Sequence, residues 1–279
     1  MKLNSLFIIA IILSSCYQNK KTTTETIEIA NKNHIINTAF QSIIDSAQVT
    51  GAILIYDVQK DIYHSNDFDW ADIGRLPAST FKIANSIIAL ESGVIENNSI
   101  VFKWDGQERA LKNWEQDLVL RDAFQFSCVP CYQEVARNIG AKRMNEYLSK
   151  LDYGNMKVDS SNIDVFWLRG TSRISQFQQI DFLKRFYESE LPISERTRTM
   201  MKKLLRIKQH KNYVLNGKTG WAIREGENNG WFVGYLEKEK QVYYFATNIA
   251  PTAQFDMAYF PMVRKKITLE AFKNLEIIK

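Results

Sequence analysis

Hydrophobic positions follow several rhythms along the chain. Residues 6–13 form a continuous apolar run after a single Lys2. Over 33–47, Ile35, Ile36, Phe40, Ile43 and Ile44 recur on one side, and this spacing predicts an amphipathic helix. Residues 51–58 and 61–64 are short runs rich in Ile, Val and Tyr, and they read as a strand pair joined by a short turn. From about 77 to 206 the pattern becomes helical patches broken by loops. Three strand-like runs follow, at 213–223, 230–237 and 241–249, and the turn at 237–240 makes the last two a hairpin. A final amphipathic helix is expected over about 262–277. Strands at both ends with helices between them predict an α+β fold. Its antiparallel sheet is formed by both chain ends and flanked by helices, with a mainly helical inserted subdomain at about 77–206 and a cleft where the halves meet.

Composition adds limits. Of the 279 residues, 45% are hydrophobic, 12% aromatic and 24% charged, which suits a well-filled core and excludes a disordered chain. The net charge of +5 is diffuse, because basic residues cluster no further than pairs such as Lys202-Lys203 and Lys265-Lys266. No nucleic-acid partner is expected. The run at 6–13 falls short of the roughly 18 residues that mark a membrane span and has the length of a signal-peptide core. Leu13-Ser14-Ser15-Cys16 resembles a bacterial lipobox. Residues 1–15 are thus expected to be a lipoprotein signal peptide, with Cys16 lipidated. The polar, aperiodic stretch 16–33 is read as a flexible tether to a catalytic domain at 34–279. The protein is expected to be exported, either periplasmic or held at a membrane by its lipid anchor.

The chemistry centres on a serine and a lysine one turn apart. Pro77 suits a helix start and Gly93 a helix end, and between them Phe81, Ile83, Ala84, Ile87, Ile88, Ala89 and Leu90 surround most of the circumference. A helix apolar nearly all round is buried. Lys82 would therefore lie in the first turn of a buried helix beside Ser79. Burial lowers an amine's pKa and makes it available as a base. One Ser-x-x-Lys is about what chance supplies, but Lys218-Thr219-Gly220 is expected only roughly 0.05 times. Gly220 would let a ligand approach the strand backbone closely. A Ser-His-Asp triad is a poor competitor, since there is no Gly-x-Ser-x-Gly and the histidines are His34, His64 and His210. No zinc-binding pattern appears, and no metal is expected. Cys128-Val-Pro-Cys131 reads either as two small apolar residues on one helical face, the preferred reading, or as a thiol–disulfide oxidoreductase motif; a disulfide between them is a further possibility.

With these residues in place, the chain resembles the penicillin-recognising serine enzymes, and specifically the class D (oxacillinase-type) β-lactamases. Ser79-Thr80-Phe81-Lys82 matches their nucleophile motif, Ser127-Cys128-Val129 their Ser-x-Val, and Tyr153-Gly154-Asn155 their Tyr-Gly-Asn. Phe166-Trp167-Leu168 matches their tryptophan loop, Lys218-Thr219-Gly220 their strand motif, and Trp231-Phe232-Val233-Gly234 the following strand. The resemblance implies a β-lactamase/transpeptidase-like fold and hydrolysis of β-lactam antibiotics through an acyl-enzyme on Ser79. It implies that Lys82 is carboxylated by CO₂ or bicarbonate, with no other cofactor, and is the general base for acylation and deacylation. Trp167 would donate its indole N–H to that carbamate, while Val129 and Leu168 keep it dry. Ser127 would relay a proton to the leaving nitrogen and Lys218 would orient it. Backbone N–H groups of Ser79 and Trp221 would form the oxyanion hole, and Thr219 and Arg264 would meet the substrate carboxylate. Alternatives are a penicillin-binding sensor or transpeptidase-like domain that acylates without turnover, and the thiol oxidoreductase.

Overall fold

Structure is described for residues 33–97, 99–224 and 226–279, from a computed structural model. The signal segment, Cys16 and all but the last residue of the expected tether lie outside the described residues. Strands run in chain order as β1 (His34–Ile36), β2 (Val49–Asp57), β3 (Ile62–Ser65), β4 (Val101–Phe102), β5 (Leu118–Val119), β6 (Arg206–Gln209), β7 (Val214–Arg224), β8 (Glu227–Lys238) and β9 (Gln241–Pro251). Helices are α1 (Thr38–Ser46), α2 (Phe68–Asp72), α3 (Lys82–Glu91), α4 (Leu120–Gln125), α5 (Val129–Ile139), α6 (Ala141–Leu151), α7 (Gln176–Tyr187), α8 (Glu195–Leu205) and α9 (Phe260–Asn274).

The main sheet has the order β1-β3-β2-β9-β8-β7-β6, and its pairings from β3 to β6 are antiparallel. Strands from opposite ends of the chain meet in its middle, with Leu54 of β2 opposite Ala246 of β9. Successive side chains on a strand point to opposite faces, and each face has its own core. Ile53, Ile55 and Phe245 pack with Phe40 and Ile44 of α1 and with Ile267 and Phe272 of α9. Leu54, Val233 and Ala246 pack with the helical insertion, including Ile87 and Ile88 of α3 and Ile180 and Leu183 of α7. Every residue from Lys82 to Leu90 is buried, so α3 is the central helix that its apolar circumference predicts.

The elements differ from expectation in three places. The helix expected from residue 33 begins at Thr38. The Asn37 side chain accepts from the Ala39 N–H at 3.0 Å and caps it. His34–Ile36 before it is an edge strand with Ile35 and Ile36 exposed. The helix expected from Ala78 opens as a 3-10 turn, Ala78–Phe81, and becomes α-helical only at Lys82. The short strands β4, β5 and β6 carry too few residues to leave a periodic trace. Among the described residues no helix is long and apolar enough to cross a membrane.

Candidate active site

Where β7 meets the start of α3, three elements bring serines and lysines together. Pro77 leads into Ala78, whose φ of +51° lies in the left-handed region and turns the chain sharply. The Ala78 N–H donates to Trp167 O at 2.9 Å, tying this turn to the loop that carries the indole. Thr80 Oγ1 donates to Pro77 O at 2.6 Å and accepts from Gln179 Nε2 at 2.9 Å. Gly220 of β7 lies flat against the turn, since a Cβ there would stand 3.1 Å from Pro77 O and Thr80 N. The backbone that approaches Gly220 closely is therefore that of the nucleophile turn.

The result is a dry serine–lysine pair. Ser79 Oγ lies 3.2 Å from Lys82 Nζ. Lys82 is fully buried, and burial alone lowers its pKa from 10.5 to about 7. The Tyr132 ring lies 4.9 Å from the amine. Trp167 is fully buried and stacked on Phe81, with ring centroids 5.4 Å apart. Its Nε1–H has no hydrogen-bond partner, a costly state for a buried donor that one added acceptor would relieve. Tyr153 packs on Phe81 and Phe182, and Gly154, with φ +58°, admits the chain at Arg173, so Tyr153-Gly154-Asn155 is a supporting turn.

Ser127 closes the second side. Lys218 Nζ donates to its Oγ and to Thr219 O at 3.1 Å, above the Phe124 ring at 5.7 Å. Desolvation holds the Lys218 pKa well below its ordinary value, and Lys82, Arg264 and Lys265 lower it further. Among the described residues, none of Lys82, Lys218 and Arg264 has a carboxylate within salt-bridge distance, so no fixed negative charge opposes an anion at this site. Val129 opens α5 beside Ser127, and Leu168 follows Trp167; both are half-buried.

Arg264 comes from α9 on the opposite face of β7. It is 5% exposed, donates to Gly220 O and to Pro261 O at 3.0 Å. Burial lowers its pKa to about 10, and its Nε has no partner. Space for it exists because position 230 is glycine, where a Cβ would lie 3.0 Å from Arg264 Cδ and 2.7 Å from Phe260 Cζ. Thr219, next to Gly220 on β7, is half-buried. Trp221 donates to Asn228 Oδ1 at 2.8 Å and packs edge-on against Phe260. Tyr132, Gln179 and Gly230 were not picked out from the sequence; each acts through packing or support and carries no motif.

Cys128 and Cys131 are buried in the core, as the preferred reading expects, and they also form the disulfide that the sequence leaves open. Neighbours at i and i+3 on a helix are close enough for either outcome, so spacing alone does not decide. Among the described residues no group of three His, Cys, Asp or Glu side chains could hold a metal ion.

The comparisons agree on the kind of protein this architecture resembles. Residues 46–271 match the penicillin binding protein transpeptidase domain. The chain is 42% identical over 216 residues to β-lactamase OXA-10 of Pseudomonas aeruginosa, covering 76% of this chain and 81% of that protein. It is 39% identical over 228 residues to β-lactamase OXA-48 of Klebsiella pneumoniae, covering 82% and 84% of the two. Among solved structures, a class D β-lactamase from Sebaldella termitidis superposes with a TM-score of 0.83 at 36% identity, covering 88% of this chain and 99% of that one. None of these relatives supports the thiol oxidoreductase.

Proposed function

This chain belongs to the class D serine β-lactamases, and from that we propose a reaction in which Ser79 is acylated and Lys82, carboxylated by CO₂, is the general base of both half-reactions. The coarser activity, serine-based hydrolysis of β-lactam antibiotics, follows from the family. The observation that supports the finer reading is a fully buried amine beside a serine hydroxyl, together with the unpartnered indole N–H of Trp167, whose ring stacks on Phe81, the residue before Lys82. A neutral amine adds CO₂ and an ammonium does not, and burial lowers the Lys82 pKa to about 7. As a carbamate the added CO₂ supplies an anionic oxygen acceptor, which Trp167 Nε1 is suited to hold.

The chain's own groups do the rest. Ser79 Oγ attacks the lactam carbonyl as its proton moves toward the Lys82 side chain. Backbone N–H groups of Ser79 and Trp221 stabilise the developing oxyanion. Ser127 Oγ passes a proton to the departing nitrogen, and Lys218 holds that hydroxyl in place. Arg264 and Thr219 receive the substrate carboxylate, while Val129 and Leu168 limit water at Lys82.

The test is a time course with a chromogenic cephalosporin, with and without bicarbonate. Steady turnover that falls when bicarbonate is stripped or pH is lowered, and returns on adding bicarbonate, is expected. A single stoichiometric burst would instead mark a sensor or transpeptidase-like domain. We propose further that residues 1–15 direct export and that Cys16 carries a lipid anchor at the end of the 16–33 tether, supported by the Leu13–Cys16 pattern. Palmitate incorporation that survives Cys16→Ser would refute this.

A further inference from the structure

Ser127 holds a backbone conformation that serine does not adopt unaided. Its φ of +56° is in the left-handed region, which persists in non-glycine residues only where the surroundings over-determine it. The Lys218 contact fixes the hydroxyl but leaves the backbone free. The backbone is fixed by its neighbours. The Ser127 N–H donates to Phe124 O at 3.2 Å, and the Cys128 N–H donates to Ala123 O at 2.9 Å, both in α4. Cys128 is also the cap of α5: its Sγ accepts from the Cys131 N–H at 3.2 Å, and the disulfide closes that first turn. A crosslink this short removes little freedom from the unfolded chain, so its effect is local.

We propose that the Cys128–Cys131 disulfide is a positioning device for the hydrolytic site, holding the Ser127 hydroxyl against Lys218, so that its reduction slows acylation of Ser79 without unfolding the protein. This rests on the reading of Ser79 as the nucleophile of β-lactam hydrolysis. In the reductive step a dithiol gives two electrons and two protons. The S–S bond breaks, Cys128 and Cys131 become thiols, and the dithiol closes to its own cyclic disulfide. Oxidised glutathione reverses the step and leaves two reduced glutathione molecules. Reduction has a second consequence at Lys218, which faces Lys82 from the start of α3 and Arg264 and Lys265 from α9. Losing the Ser127 acceptor removes a contact that favours its ammonium form, so the alkaline limb of activity moves to lower pH.

The experiment compares oxidised, dithiothreitol-reduced and glutathione-reoxidised protein, with reduction verified by two added alkylatable thiols. Ser79 acylation is read by stopped-flow and mass spectrometry, and kcat/KM by its pH profile. Reduction is expected to slow acylation about tenfold or more, to lower the pH of the alkaline limb, and to leave a cooperative melt intact. Reoxidation restores all three. Cys128→Ser/Cys131→Ser is expected to behave as the reduced form and to ignore dithiothreitol. Acylation by the reduced protein within twofold of the oxidised rate, an unmoved limb, a lost melt, or a serine variant that dithiothreitol slows as much as it slows the parent overturns the proposal. If the oxidised protein forms no Ser79 adduct at all, the β-lactamase reading itself fails and the proposal falls with it.

Discussion

At the scale of single residues, Lys82 shows how burial and catalysis are linked. Its amine titrates at 10.5 in an unfolded chain and near 7 in the fold, so between those values the unfolded chain binds more protons. Stability contributed by this group therefore rises as pH increases from 7 to 10.5, and the full penalty is present below 7. In CO₂-free buffer Lys82→Met should melt higher than the parent at pH 6, with the gap narrowing toward pH 10.5. The same variant should lose about 10²- to 10⁴-fold in turnover. Calorimetry and a hydrolysis assay on one preparation check both. Trp167→Phe separates ring from donor: stacking on Phe81 is kept and the N–H is lost. A hydrogen bond to a charged group contributes about 1.5–3 kcal/mol, so half-maximal activity should require roughly tenfold more bicarbonate or beyond. A bicarbonate titration that superposes on the parent's would count against Trp167 as the carbamate's donor.

Among elements, two glycines set how β7 and β8 pack against their neighbours. Gly220→Ala would press a methyl into the Pro77–Thr80 backbone at 3.1 Å, displacing Ser79. A loss of kcat with destabilisation of about 1–3 kcal/mol is expected in denaturant titration. Gly230→Ala would instead push α9 through Phe260 and Arg264, so steady-state kinetics should show KM rising more than kcat falls. The sequence revealed much of this scale and lost parts of it for physical reasons. The late strands stood out because they are long and bounded by turns. Ile35 and Ile36 suit a helical face or an edge strand equally well, and Asn37 decides between them by capping. β6 is short and polar and leaves no pattern. Within the site, Ser79, Lys82 and Lys218 carry compact motifs. The anchoring of Arg264 on Gly220 O joins positions 44 residues apart and exists only once the sheet has formed. The disulfide was undecided because helical spacing allows packed thiols as readily as a bond.

For the whole molecule, the central fact is that β2 from the beginning of the domain lies between β3 and β9, the latter from near its end. Neither chain end can keep its full hydrogen bonding if the other leaves, and both cores share the sheet. Unfolding is therefore expected to be one cooperative transition, with tryptophan fluorescence and far-UV circular dichroism coinciding. Separated transitions would mean that the helical insertion has a stability of its own. The sheet's two margins, β1 and β6, are only three and four residues long, and β6 presents exposed Arg206, Lys208 and Gln209. Both borders are too short to give a foreign strand much to align with, and at β6 the charges of Arg206 and Lys208 also repel it. Growth into fibrils by lateral strand addition is thereby discouraged, even when the protein is highly concentrated.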